Sequence, residues 1–76
     1  MIGNEIRFLR NRMCLTRDEF AAEVGHGVIE ASVRLWEDVY HHDFIVSPEI
    51  NVRLMELWNA QAAREHAVGN EWPTRS

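Results

Sequence analysis

Apolar residues recur at helical spacing in four stretches of this chain. Ile2, Ile6, Leu9 and Met13 are four, three and four residues apart, the stripe of an amphipathic helix that begins near Gly3 or Asn4. Arg7, Arg10 and Arg12 lie off that stripe. Thr16 and Glu19 have the Thr-x-x-Glu spacing of a capping box, and Leu15 with Phe20 forms a hydrophobic staple, so a second helix is predicted from Arg17. Gly25-His26-Gly27 then interrupts the pattern and offers two positions where positive φ costs little, so the chain must turn there. Ile29, Val33, Trp36 and Tyr40 repeat at four, three and four, predicting a third helix over 29–39. Residues 41–46 read as a loop, because Ser47 is a good N-cap and Pro48 suits the first helical position. The fourth helix carries Ile50, Leu54, Leu57 and Gln61 on its main face, with Met55, Trp58 and Ala62 on the neighbouring one, and extends to about Ala67. Residues 69–76 read as a frayed tail that contains Pro73 and a conspicuous Trp72.

This pattern predicts an all-α domain over 1–68, with four helices and room for a fifth, followed by a flexible tail over 69–76. A chain of 76 residues holds one domain, and at this size only about 60% of the unfolded surface is buried, so the core must be compact. Trp36 and Trp58 are expected to fill it. The single cysteine, Cys14, cannot form an internal disulfide, and no Cys/His pair has zinc-ligand spacing. Apolar runs fall far short of the roughly 20 residues that span a bilayer, and the start has no signal-peptide pattern, so a soluble cytoplasmic protein is expected. Cys14, beside Leu15, reads as a buried inert thiol and not a nucleophile. His41, His42 and Asp43 read as solvated loop residues, so no metal is expected. With no Ser/His/Asp arrangement, phosphate loop or carboxylate pair in a cleft, neither catalysis nor a cofactor is expected.

Charge sharpens the reading. The formal net charge is -4, but it is unevenly spread. Residues 1–17 carry four arginines against Glu5, residues 18–46 carry seven acids against Arg34, and the remainder is close to neutral. The chain has no lysine, so every basic contact would be a guanidinium, suited to bidentate phosphate or guanine recognition; genome base composition explains an all-arginine set equally well. Any nucleic-acid surface must draw on the arginine-rich start.

Arg17, Ala21 and Gly25 recur at every fourth residue, followed by Val33 and Trp36-Glu37. A small Ala21 allows close helix approach, Gly25 makes the turn, and Val33 and Trp36 anchor the inner face of a third helix whose other face projects outward. Residues 3–58 resemble the lambda-repressor-like helix-turn-helix domains, also called the xenobiotic-response-element or Cro family. The resemblance lies in Ile6-Arg7-x-Leu9-Arg10, in Leu15-Thr16-x-x-Glu19-Phe20-Ala21-x-x-Val24-Gly25, and in Val33-x-x-Trp36-Glu37. It implies that Arg17, after the Thr16 cap, contacts the DNA backbone together with Arg10, Arg12 and Thr16. It also implies that Glu30, Ala31, Ser32 and Arg34 read bases. By chemistry Arg34 suits guanine, Glu30 cytosine, Ser32 a base or phosphate, and Ala31 a thymine methyl. For Arg7, Arg10 and Arg12 a solvated helix face is the alternative. The chain departs from the family pattern in a longer turn before Trp36, in Val28-Ile29 where a polar cap is usual, and in the acidic flank of Glu30, Glu37 and Asp38.

The expectation is therefore a sequence-specific DNA-binding regulator, a repressor similar in size to short regulators of bacteria and phages. It would bind a palindromic operator in double-stranded DNA as a homodimer. The dimer surface is expected on the fourth helix at Met55, Trp58 and Ala62, joined by Trp72. The alternative keeps the fold and drops the DNA: a helix-turn-helix module for protein association, such as an antitoxin or a partner-binding regulator, which the acidic middle segment favours.

Overall fold

The computed structural model describes residues 3–38, 46–69 and 72. The chain is all-α: α1 (Gly3–Arg12), α2 (Arg17–Val24), α3 (Glu30–Asp38) and α4 (Pro48–Ala67). Each start that the sequence marks with a cap is found where it is predicted. At α2 the Thr16 hydroxyl accepts from the Glu19 N–H at 3.2 Å and the Glu19 carboxylate accepts from the Thr16 N–H at 2.9 Å, so two otherwise orphaned donors are satisfied reciprocally. These bonds hold the exposed Glu19 carboxyl below its ordinary pKa. At α4 the Ser47 hydroxyl accepts from the Ile50 N–H, with Pro48 in the first turn.

The core joins all four helices through Ile6 and Leu9 of α1, Phe20, Ala21 and Val24 of α2, Val33 and Trp36 of α3, and Leu54, Leu57 and Trp58 of α4. α3 lies against both α1 and α2, and α4 closes the far side of that pair. Ala21, 2% exposed, is the small residue at the α2–α3 approach that the spacing called for.

Three expectations change. Cys14 is exposed, not buried. α1 ends in a Schellman motif: the Leu15 N–H bonds to the Arg10 carbonyl at 3.2 Å and the Cys14 N–H to that of Asn11 at 3.1 Å. This places Cys14 at φ 58, and its side chain faces outward while Leu15 packs on the core. Ile29, assigned to the inner stripe of the third helix, is 61% exposed. It sits at the N-cap, where its carbonyl accepts from Ser32 and Val33, and the inner face is completed by Glu37. Trp72, assigned to a frayed tail, packs edge-to-face on Phe8 and Trp58 at centroid separations of 5.0 and 5.1 Å. Tyr40 and the His41-His42-Asp43 cluster lie outside the described residues. No helix among the described residues is long and apolar enough to cross a membrane.

Candidate nucleic-acid interface

α2 and α3 are joined by a turn that only a special sequence can make. Gly25, His26 and Gly27 all have positive φ, at 72, 54 and 79. The Gly25 N–H caps α2 by bonding to the Ala21 carbonyl at 3.0 Å, and the Val28 N–H returns to the Gly25 carbonyl at the same distance. Val28 is thereby set against the core, and α3 leaves the turn with Val33, Trp36 and Glu37 inward. Its opposite face carries Ala31, Arg34 and Leu35, all exposed. Of the residues expected to read bases, Ala31 and Arg34 lie fully on this outward face, while Glu30 and Ser32 are half-buried at its edge. Arg34 bonds to Glu30 across one helical turn at 2.7 Å.

The inner face of α3 contains the site's main electrostatic feature. The Glu37 side chain is completely buried, and three guanidiniums converge on it. Arg10 donates from Nε to Glu37 Oε2 at 2.8 Å and from Nη2 to Oε1 at 3.2 Å, a fork on one carboxylate, while its Nη1 bonds to the Leu15 carbonyl at 3.0 Å. Arg7 reaches Oε1 from Nε at 3.4 Å, and Arg17 Nη2 lies 3.6 Å from the same oxygen. Asp38, partly exposed, lies 3.5 Å from Arg7 and 3.8 Å from Arg17. Burial alone would raise the Glu37 pKa. The hydrogen bonds and charge of Arg10, followed by the charge of Arg17 and the bond from Arg7, outweigh it and hold the carboxyl below its ordinary value.

The expected phosphate contacts therefore separate. Arg10 has its donors committed inside the fold, to Glu37 and to the end of α1. Arg17 is a third exposed and only loosely paired, and its Nε is buried without a hydrogen-bond partner among the described residues. Thr16 spends its acceptor oxygen on the α2 cap. Arg12, the last residue of α1, points away from this cluster and pairs with α4: its Nε donates to Glu65 Oε1 at 3.0 Å, its Nη2 bonds to the other oxygen, and the Gln61 side chain joins the carboxylate to the Arg12 carbonyl. The bonds and charge of Glu65 raise the Arg12 pKa above its ordinary value.

Of the expected dimer residues, Met55 and Ala62 are half-buried, and Trp58 is 5% exposed. The Trp58 ring is covered from within the chain by Phe8 and Trp72, so its place is the core. The residue whose role sequence reasoning missed is Glu37. Read as part of an acidic flank, it is the anchor of α3, and its signal was positional: Val33, Trp36 and Glu37 share one helical face. Opposite this buried carboxylate Arg10, off the apolar stripe of α1, becomes an internal partner, while Arg7 keeps about half of its side chain in solvent.

No family model, curated protein or solved structure matches the chain.

Proposed function

We propose that this chain is a helix-turn-helix regulator of the lambda-repressor-like kind, a soluble cytoplasmic DNA-binding protein and not an enzyme, that places α3 in the major groove of a palindromic operator. One observation carries the reading. α3 is held rigidly by its inner face, through Val33, Trp36 and the ion-paired Glu37, while Ala31 and Arg34 stand exposed on the opposite face just after a tight turn. Glu37 is turned inward and paired, so it adds far less negative field at the groove than the sequence suggests. Arg7 and Arg17 remain partly exposed beside α3 and supply the nearest positive charge to a DNA backbone.

Selection of bound duplexes from a random pool, followed by anisotropy titration at several salt concentrations, tests this reading. A steep fall of affinity with salt is expected. Arg34→Ala should relax the preference at one base position at a cost of about 1–3 kcal/mol in binding. Among the described residues its partner is Glu30, in an exposed pair worth about 0.3–0.5 kcal/mol, so folding should barely change. Repression through two half-sites requires a homodimer, which we place on the Met55 and Ala62 edge of α4; Ala62→Glu should then abolish the dimer in sedimentation while leaving the helical spectrum intact.

Ile29 and Leu35, both exposed beside Arg34, favour a second reading in which the same face of α3 docks on a partner protein. Failure of the chain to retain any duplex at low salt would select it.

A further inference from the structure

Asp38 is the last residue of α3, and it follows Ala31 by seven positions and Arg34 by four. It therefore continues the outward ridge of that helix and not the buried one. A carboxylate in the last turn meets the negative end of the helix dipole, and α3 has no basic residue there to offset it. The offset comes from two other helices. Arg7 of α1 and Arg17 of α2 each bring Nη2 to the same oxygen, Asp38 Oδ1, at 3.5 and 3.8 Å. Both distances exceed those of an N–H···O hydrogen bond, and the three side chains are 47%, 33% and 48% exposed, so these contacts are weak and half in water.

Glu37, the neighbouring acid, is already neutralised by the fork from Arg10. Among the described residues three guanidiniums thus face two carboxylates at this corner, and the Arg17 Nε is buried with no hydrogen-bond partner. One positive charge and one buried donor are left over. An anionic oxygen sits loosely between two guanidiniums, on the ridge that carries Ala31 and Arg34. A DNA phosphate presents anionic oxygens of the same kind, and a guanidinium can bind two of them at once.

We propose that Asp38 is a built-in competitor for DNA phosphate: its carboxylate holds the place between Arg7 and Arg17 that a backbone phosphate takes on binding, and so lowers the chain's sequence-independent affinity for DNA. Binding exchanges one anionic partner of the two arginines for another and leaves Asp38 to solvent. Phosphate contacts carry no sequence information, so the exchange weakens the grip on every duplex alike and leaves discrimination to the outward residues of α3. This competition rests on the DNA-binding reading, which supplies the phosphate.

The test uses the full chain, a duplex of arbitrary sequence at low salt, and, separately, inorganic phosphate without DNA. Asp38→Asn should melt within a few degrees of wild type, because the pairs it loses are exposed and the unfavourable charge at the end of α3 is removed. It should bind the duplex about fivefold more tightly, the worth of two exposed ion pairs that no longer have to be broken. In an Arg17→Gln background the same substitution should gain less than about twofold, since one of the arginines it releases is gone, whereas a general loss of negative field would give equal gains in both backgrounds. Without DNA, inorganic phosphate should move the side-chain Nε–H signals of Arg7 and Arg17 ahead of those of Arg34 and Arg64, relative to chloride at matched ionic strength. About threefold less phosphate should be needed in Asp38→Asn. Equal gains in the two backgrounds, no gain at all, or a phosphate response that Asp38→Asn leaves unchanged would each overturn the proposal. Failure of wild type and Asp38→Asn alike to bind the duplex, with phosphate still drawn to Arg7 and Arg17 and held more tightly in Asp38→Asn, would overturn the DNA-binding reading while upholding the competition between Asp38 and phosphate.

Discussion

Cys14 occupies the position after α1 where a helix most often places glycine, since a left-handed residue there lets two carbonyls at the helix end find partners. A side chain at φ 58 carries strain that glycine does not, and the exposed thiol makes no compensating core contact. Cys14→Gly should therefore stabilise the domain by about 0.5–1 kcal/mol, read as a higher denaturation midpoint; a lower midpoint would mean that the thiol contributes packing that its exposure denies. Glu37 presents the opposite case, a residue whose removal leaves its partners stranded. Glu37→Gln keeps the shape but takes the charge from between Arg7, Arg10 and Arg17, at a cost of about 2–3 kcal/mol. The pH dependence has a definite sign. The folded-state pKa of Glu37 is depressed, so its stabilising contribution is complete above the ordinary glutamate value of 4.5 and is lost as the pH falls through the lower folded value. Denaturation curves measured from neutral pH down to the acid limb should show the wild-type chain losing stability more steeply below that value than Glu37→Gln. Parallel curves for the two proteins would remove Glu37 from the acid response.

At the scale of elements, the α2–turn–α3 unit depends on backbone conformations that few residues adopt. Gly25 has φ 72 and ψ -151, in a region open essentially only to glycine, yet a Cβ built there meets nothing within 4 Å. The cost of Gly25→Ala is thus conformational and not steric, about 1–3 kcal/mol. A repacked turn would also re-aim α3, so the variant should lose more DNA affinity than its stability loss explains when both are measured well below the melting point. Equal affinity with lowered stability would show that the turn sets stability alone. This unit was legible in the sequence because glycines and caps act locally: Thr16 with Glu19, and Gly25 with Gly27, specify their geometry within a few residues. The N-cap role of Ile29 was not legible, since an isoleucine at stripe spacing carries the same periodicity whether it begins the buried face or precedes it. Nor was the partnership of Arg10 with Glu37, which joins residues 27 positions apart and exists only once α1 and α3 are packed.

At the scale of the whole molecule, α4 is tied to α1 by two long-range devices at different places. One is the Arg12–Glu65–Gln61 network, polar and partly exposed. The other is the ring cluster of Phe8, Trp58 and Trp72, in which Trp72 meets both of the others edge-to-face with interplanar angles of 68° and 70°. By stripe spacing Trp58 falls on a secondary face of α4 available to a second subunit; Phe8 and Trp72 cover it instead, and no local pattern announces such a contact. Trp72 therefore belongs to the folded unit, and its removal should be felt at a distance from the chain end. Trp72→Ala takes a half-buried indole from two aromatic partners and opens Trp58 to water, for a loss of about 2–3 kcal/mol. In a domain of this size each kcal/mol lowers the melting temperature by about 4–8 °C. Trp58 then becomes the reporter: with Trp36 still 6% exposed inside the core, the folded variant's fluorescence should shift to the red relative to wild type, as the Trp58 indole gains water contact. Melting and emission unchanged from wild type would mean that Trp72 does not cover Trp58 in solution, and the secondary face of α4 would then be open to a second subunit after all.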